Sequence, residues 1–359
     1  MTLKDKLGEV GYSDALKSSF VYVGDTSRIF DALHKTEINI MYLGGSVTIG
    51  FSYDGLNSGA FPEYLDDRIR EITGSAVSST NYGACGSNPL IGEFMYLNDP
   101  DGYDADLFFI EYSINDEKTP KGIERFESLV RRLLSDGKAV AIITLVNANG
   151  YNCEEFQLPI AKYYSVPVIS VGSFLLGLFS DGRACWGDYG SDELHPHDNG
   201  HRIITDCVSS FLERAYHGER CEAASVPPAA FFSTPYCKMK LNNDIAARGF
   251  SQGACTADGI GYSLRSDTLQ GIHEISFNVT AACIVIMYII ADDSSYGSAD
   301  VVLDGVTVGT LNAYSIFGWN NPICFEAVCE KEKRPHSIII RMRKGDEQKK
   351  FELVAIGVS

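Results

Sequence analysis

The sequence predicts an α/β fold followed by a second, antiparallel β domain. Over about the first 215 residues, strand patterns alternate with helical patterns, which is typical of a parallel sheet covered on both faces by helices. Residues 217–230 lose this periodicity and contain Pro227-Pro228, so we interpret them as a linker. Short strand patterns with turn residues follow. The predicted domains are therefore residues 1–216 and 231–359.

The first domain contains five strand patterns and three clear helical patterns. The predicted strands are Ile38–Leu43, Ala76–Tyr82, Leu107–Tyr112, Ala139–Val146 and Val166–Val171. The predicted helices are Phe61–Thr73, Gly122–Ser135 and Asp198–Tyr216, the last with Asp198 as its N-cap. The apolar run at residues 20–23 leaves open whether the first 35 or so residues add a strand to this domain or pack on the second one.

The second domain shows only short strand patterns. They are His273–Val279, Ala282–Ile290, Val301–Leu303, Val306–Leu311, Ser337–Met342 and Phe351–Ile356. Asp304-Gly305, between two of these runs, is a strong hairpin signal. Because no long helical pattern interrupts the strands, we expect an antiparallel β-sandwich.

Composition limits the classes of partner. Among 359 residues, Lys and Arg number 30 and Asp and Glu number 47, so the net charge is −17. Such a surface repels phosphate backbones and anionic membranes, and we expect neither nucleic acid nor membrane as a partner. The N-terminus lacks a signal-like apolar segment, and the ten scattered cysteines form no Cys-x-x-Cys. We expect most of the thiols to be buried and reduced. We also expect a cytoplasmic location, with secretion as the alternative if a signal peptide has been removed; the oligomeric state stays open.

A serine follows two glycines at the end of the first predicted strand of the alternating series. Gly44 and Gly45 allow a sharp backbone turn, and Ser46 would then present its hydroxyl outward. The same tripeptide is also an ordinary turn. A serine nucleophile further requires a base, an acid that orients the base, and donors for the oxyanion.

Three later segments contain these groups. His195 is the candidate base because its pKa lies near neutrality, and Asp192, three residues earlier, can orient it. The backbone N–H groups of Ser46 and Gly86 and the side-chain amide of Asn115 are candidate oxyanion donors.

In this chain order, the four segments resemble the blocks of the SGNH hydrolase superfamily, also called the GDSL family. The resemblance covers about residues 20–215 and implies a flavodoxin-like three-layer α/β/α fold. It also implies a serine esterase with a Ser46–His195–Asp192 triad that needs no cofactor or metal. Gly-Gly-Ser-x-Thr replaces Gly-Asp-Ser and resembles a branch that includes carbohydrate deacetylases. The missing aspartate leaves open what orders the serine loop.

The resemblance therefore implies hydrolysis of short acyl esters, acetyl above all, on a carbohydrate. The β domain is similar in plan to accessory domains of carbohydrate-active esterases. Two alternatives remain: a lipid-type esterase, thioesterase or lysophospholipase of the same superfamily, and a non-catalytic carbohydrate-binding protein.

Several neighbouring residues have two interpretations. Trp186, Tyr189 and Trp319 are candidate pocket residues, with aromatic packing as the alternative. His197 and His201 lie near His195, where packing is favoured over a metal cluster.

Three further polar residues have mainly structural interpretations. Thr48 is expected to stiffen the turn after Ser46. Asp116 is expected to cap the next helix, with support of the oxyanion loop as the alternative. Either Glu111 or its neighbour lines the pocket, or both face the core or a helix.

Overall fold

The chain forms two compact units. The computed structural model describes residues 2–51, 58–99, 104–232, 236–257, 260–266 and 273–359. The first unit comprises Met1–Pro89 and Asp101–Phe232, and the second comprises Leu90–Pro100 and Ser233–Ser359. Residues 90–99 lie within the range that the sequence assigned to the first domain, but they group with the second unit.

Six strands form the sheet of the first unit. They are β1 (Phe20–Tyr22), β2 (Glu37–Gly44), β3 (Ala76–Gly83), β4 (Leu107–Glu111), β5 (Ala139–Thr144) and β6 (Val168–Ser170). Their order is β1-β6-β5-β4-β2-β3; strands β2 to β6 are parallel and β1 is antiparallel to β6. From β2 onward this is the flavodoxin-like strand order, so the predicted fold class is confirmed.

Helices precede, connect and follow the parallel strands. Along the chain they are α1 (Leu3–Leu16), α2 (Ser27–Leu33), α3 (Ser46–Ile49), α4 (Phe61–Thr73), α5 (Pro89–Asn98), α6 (Pro120–Ser135), α7 (Glu154–Tyr163), α8 (Val171–Ser180) and α9 (Asp198–Tyr216). Helix α6 begins two residues earlier than expected because Thr119 caps it, accepting a hydrogen bond from the N–H of Gly122. The N-cap of α9 is His197 and not Asp198, whose carboxylate instead accepts hydrogen bonds from Ser58 and Tyr64.

Both faces of the central strands are buried. In β2, Ile40 and Tyr42 belong to one hydrophobic core, while the alternating Met41 and Leu43 point to the other face and are equally buried. A sheet that is apolar on both faces must be covered by helices on both sides. The carboxyl ends of β2, β3 and β4 meet at one edge, where ligands bind in sheets of this type.

The second unit is a nine-stranded antiparallel sheet. Its strands are β7 (Lys240–Leu241), β8 (Ala246–Arg248), β9 (Phe250–Ala254), β10 (Tyr262–Ser266), β11 (Glu274–Ala291), β12 (Ser298–Leu303), β13 (Val306–Asn312), β14 (Trp319–Met342) and β15 (Glu352–Val358). The order is β13-β12-β14-β11-β15-β10-β9, with β8 beside β11 and β7 beside β15.

A bulge lets the long strand β11 serve both halves of this sheet. Its first part pairs with β8 and its second part with β15, and the register shifts between Ala281 and Cys283. Core residues are odd-numbered before the shift, as at Ile275, and even-numbered after it, as at Ile284 and Ile286. The two halves therefore enclose one core as a sandwich, and the two strands predicted for this stretch are one.

The segment of residues 217–232, called the connecting segment below, is fastened to the first unit. The guanidinium of Arg131 donates hydrogen bonds to the carbonyls of Pro227, Pro228 and Ala229. The buried carboxylate of Glu127 accepts hydrogen bonds from the backbone N–H groups of residues 231 and 232. Although the sequence predicted a linker at 217–230, these residues are held by specific contacts.

Two further expectations concern the whole chain. Within the described ranges, no helix is both long and apolar enough to cross a membrane. All ten cysteines belong to that part of the chain and none is in a disulfide. Only Cys153, Cys207 and Cys283 are buried, so the expectation that most cysteines are buried is wrong.

Candidate active site

The serine corner lies where β2 ends and α3 begins. Ser46 is the first residue of α3, and it is 8% exposed. Gly45 has a φ of −89°, which any residue can adopt, so the corner does not need glycine for its backbone conformation. It needs glycine for space: a Cβ on Gly45 would overlap the Oδ1 of Asn115, and a Cβ on Gly44 would overlap the Oγ1 of Thr48.

Three predicted residues form a continuous chain of hydrogen bonds. The Oγ of Ser46 is 2.9 Å from the Nε2 of His195, and the Nδ1 of His195 is 2.8 Å from the Oδ2 of Asp192. With the Nδ1–H directed to the carboxylate, Nε2 is an acceptor for the hydroxyl proton of Ser46. This is the geometry of a nucleophile, a base and an orienting acid.

The loop that carries Asp192 and His195 is fixed by its own backbone. Oδ1 of Asp192 accepts hydrogen bonds from the N–H groups of Leu194 and His195, at 2.6 and 2.7 Å. Burial disfavours the ionised form of Asp192, but the N–H donors of His195 and Leu194 and the His195 ring outweigh it and lower the pKa of this carboxyl. Asp192 is thus held as a carboxylate beside the imidazole.

The segment that carries the predicted oxyanion donor Gly86 is attached to the carbonyl of Gly44 by hydrogen bonds. The N–H of Ala84 and the hydroxyl of Ser87 both donate to this carbonyl, at 3.0 and 2.8 Å. Between them in the chain, Gly86 has a φ of 66°, a left-handed conformation that favours glycine. Asn115 lies against Gly45, immediately before Ser46. The structure therefore brings the second and third blocks to the serine corner.

The three aromatic candidates have different environments. Tyr189 is 1% exposed and belongs to the core, and its ring packs edge-on against Trp186. The indole N–H of Trp186 donates to the carbonyl of Asp192 at 2.7 Å, so this ring supports the triad loop. Trp319 begins β14 of the second unit and is 66% exposed.

The two other histidines of this region have structural partners. His197 caps α9 by accepting a hydrogen bond from the N–H of Gly200. The Nδ1 of His201 accepts from the N–H of Phe61, and burial lowers the pKa of His201 to about 4, so its ring is neutral. Across the described residues, no group of three His, Cys, Asp or Glu side chains is arranged to hold a metal ion.

Asp116 does not cap the following helix, since Thr119 has that position. Its carboxyl accepts hydrogen bonds from the N–H of Glu117 and the amide of Gln157. Burial raises its pKa to about 7. Asp116 thus braces the loop that follows Asn115.

Two features of the corner were not predicted. The ring of Phe51 lies 4.7 Å from the ring of His195, centroid to centroid. Gly50, with a φ of 85°, ends α3 and reverses the chain direction. The spacing of residues in the sequence does not reveal that this reversal brings Phe51 next to His195.

Glu111 lies beneath the corner and accepts a hydrogen bond from the hydroxyl of Thr48 at 3.1 Å.

Comparison with known proteins agrees with this geometry. Residues 42–203 match the model of the GDSL-like lipase/acylhydrolase family. With the doubly wound sheet, this match defines the protein as a carboxylic ester hydrolase. The match confirms the resemblance to the SGNH/GDSL hydrolase superfamily that the four sequence blocks predicted.

Two solved structures resemble nearly the whole chain. One is a two-domain esterase (CEX) active on acetylated mannans, 21% identical, with a TM-score of 0.81 over 96% of this chain and 98% of that one. The other is a two-domain esterase (CEX) co-crystallized with mannopentaose, 22% identical, with a TM-score of 0.81 over 96% and 97%. At this identity the likeness shows the two-domain fold. No curated protein sequence matched the chain.

Proposed function

We propose that the protein is a serine esterase that removes short acyl groups, acetyl above all, from a carbohydrate. The observation that carries the proposal is the hydrogen-bonded chain from Ser46 through His195 to Asp192, with distances of 2.9 and 2.8 Å. Both distances lie within the hydrogen-bond range of about 2.6–3.2 Å that a general base needs to accept a proton.

The chemistry follows from these contacts. Nε2 of His195 accepts the proton of Ser46 as Oγ attacks the ester carbonyl, and the resulting imidazolium is stabilised by Asp192. The oxyanion is held by the N–H groups of Ser46 and Gly86 and by the amide of Asn115. His195 then protonates the leaving alcohol. Water, deprotonated by the same nitrogen, hydrolyses the acyl-enzyme and regenerates Ser46.

The choice of substrate rests on other support. The similar two-domain esterase acts on acetylated mannans, and the Gly-Gly-Ser-x-Thr corner resembles carbohydrate deacetylases. In the second unit, Trp319 is exposed and available for contact with a sugar ring. These points favour an acetylated carbohydrate over a lipid ester.

The test compares wild type with Ser46→Ala on acetyl and longer-chain p-nitrophenyl esters and on acetylated oligosaccharides. We expect acetyl esters to be preferred, acetate to be released from the sugars, and kcat to fall at least about 10³-fold in the variant. Activity that survives in Ser46→Ala refutes the mechanism, and a preference for long acyl chains refutes the substrate. Failure of a fluorophosphonate probe to label Ser46 would indicate a non-catalytic protein.

A further inference from the structure

A buried acid lies beneath the serine corner and outside the triad. Glu111 is the last residue of β4, is 1% exposed, and pairs in register with Gly44 at the end of β2. Burial raises its pKa to about 8, and its Oε1 has no hydrogen-bond partner among the described residues. Burial of a carboxyl group with an unpartnered oxygen costs free energy that an apolar side chain of similar size would not cost. The presence of Glu111 here therefore needs an explanation beyond packing.

The polar partners of Glu111 belong to the two sides of Ser46. Its Oε2 accepts a hydrogen bond from the Oγ1 of Thr48 at 3.1 Å, and the backbone N–H of Gly45 also interacts with the carboxyl. One contact precedes the nucleophile by one residue and the other follows it by two. The polar contacts of the Glu111 carboxyl are therefore with the residues around Ser46 and not with its own strand, β4.

Thr48 is fixed from two directions. Its hydroxyl reaches Glu111, while its carbonyl accepts a hydrogen bond from the side-chain amide of Asn81 at 2.8 Å. The absence of a side chain on Gly44 leaves the space that Thr48 Oγ1 occupies. Helix α3 has only four residues, and a helix of this length is unstable alone, so contacts of this kind must hold it.

Building on the proposed function, we infer that Glu111 is a positioning residue for the nucleophile. Through the Thr48 hydroxyl and the Gly45 N–H, its carboxyl fixes the first turn of α3, so that Ser46 Oγ stays within hydrogen-bond reach of His195. Glu111 acts through these two residues and does not meet the substrate. It supplies the ordering contact that the serine loop requires when position 45 carries no side chain.

The first test removes only the hydroxyl. Thr48→Val is isosteric, and we expect kcat for p-nitrophenyl acetate to fall about 10- to 100-fold with KM within about twofold, because a misplaced nucleophile affects the chemical step. Thr48→Ser keeps the hydroxyl and should recover kcat to within about threefold. Thr144→Val is the matched control: Thr144 is also buried and donates to a glutamate, Glu154, at 2.5 Å, and its loss should leave kcat unchanged.

The second test changes the acid. Glu111→Gln keeps an acceptor for Thr48 and should retain kcat to within about fivefold, whereas Glu111→Ala should match Thr48→Val. Because both residues act through one contact, Glu111→Ala combined with Thr48→Val should be no slower than the slower single variant. Full additivity of the two losses would overturn the inference. If Glu111→Ala fails to fold, the positioning role is still tested by the other two variants, since kcat should be retained in Glu111→Gln and lost in Thr48→Val.

A structural measurement separates this inference from the proposed function. In crystals of Thr48→Val, the distance from Ser46 Oγ to His195 Nε2 should exceed about 3.5 Å, and in Thr48→Ser it should stay near 2.9 Å. A folded Thr48→Val with wild-type kcat and an undisplaced Ser46 overturns the positioning role. If wild type shows no Ser46-dependent hydrolysis but Thr48→Val still displaces Ser46, the proposed function fails and the positioning role stands.

Discussion

Substitution of Gly45 by alanine tests whether this position requires glycine for lack of space or for its backbone conformation. Alanine adopts a φ of −89° without strain, and at an open position the change would stabilise the fold by about 0.4–1 kcal/mol. At Gly45, however, the new Cβ would overlap Oδ1 of Asn115 and lie 2.9 Å from its Cγ. The side chain of Asn115 must therefore move.

The size of this movement sets the expected loss. Ordinary contacts of a Cβ begin at 3.4 Å, so Cγ of Asn115 must retreat by about 0.5 Å and the overlapping amide end by about 1 Å. A displacement of about 1 Å at a reacting centre costs about 10²-fold in rate. Complete loss of one oxyanion donor costs about 10²–10³-fold. We therefore expect kcat of Gly45→Ala to fall about 10²-fold, and no further than in Asn115→Ala.

The assay is steady-state hydrolysis of p-nitrophenyl acetate by Gly45→Ala, Asn115→Ala and the double variant. With the amide already removed, the added methyl group should change kcat by less than about threefold. Gly177→Ala is the matched control, since Gly177 lies in α8 with nothing within 4 Å of its Cβ position, and kcat should be unchanged. The reasoning is refuted if Gly45→Ala stays within threefold of wild type while Asn115→Ala loses 100-fold.

Three further predictions concern other parts of the first unit. Asp192→Asn should lower kcat about 10⁴-fold without unfolding the protein, because an amide favours the wrong tautomer of His195; a loss below tenfold contradicts this role. Glu111→Gln should remove a pH dependence of stability: the folded pKa of about 8 lies above the ordinary 4.5, so the wild-type free energy of unfolding falls as pH rises between these values, by about 5 kcal/mol in all. Urea titrations of both proteins at pH 5 and pH 9 check this. The prediction is refuted if the free energy of unfolding falls equally in wild type and Glu111→Gln between the two pH values. Arg131→Ala should leave kcat unchanged but speed protease cleavage within the connecting segment, with Arg183→Ala as an exposed control that leaves the rate unaltered.

The sheet of the first unit was predictable because local pattern and tertiary role agree there. Each central strand is apolar on both faces and is separated from the next by a helical pattern, and this combination has few solutions. The proximity of the three proposed triad residues was predictable for a related reason. Ser46, Asp192 and His195 lie in short segments at strand ends or before a helix, and parallel strands bring such segments to one edge.

The second unit was less predictable because its strands break the patterns on which prediction depends. The bulge between Ala281 and Cys283 interrupts the alternation, so one strand was predicted as two. The middle of β14, at residues 330–335, is exposed and polar, and only Arg334 and Pro335 of this stretch pair with β11. No local signal marks either feature.

The reason for two glycines at the serine corner was also beyond the sequence. The sequence argument invoked conformational freedom, whereas the structure shows competition for space. The competitors, Thr48 and Asn115, lie four residues and 70 residues from Gly44 and Gly45 respectively. The contact with Asn115 is visible only once the strands are placed side by side, and the contact with Thr48 only once α3 is known to begin at Ser46.

The membership of Leu90–Pro100 in the second unit has a consequence for attempts to divide this protein. The chain enters that unit early, leaves it, and returns after Phe232, so no single truncation separates the two bodies. A fragment ending at residue 232 would carry the apolar side chains of Leu90, Phe94 and Tyr96 without the strands of their own unit. During synthesis, the second body cannot be completed until about 260 residues after its first piece has emerged. Expression of either half alone should therefore yield aggregation-prone material, and domain-swapping experiments with related esterases need two junctions instead of one.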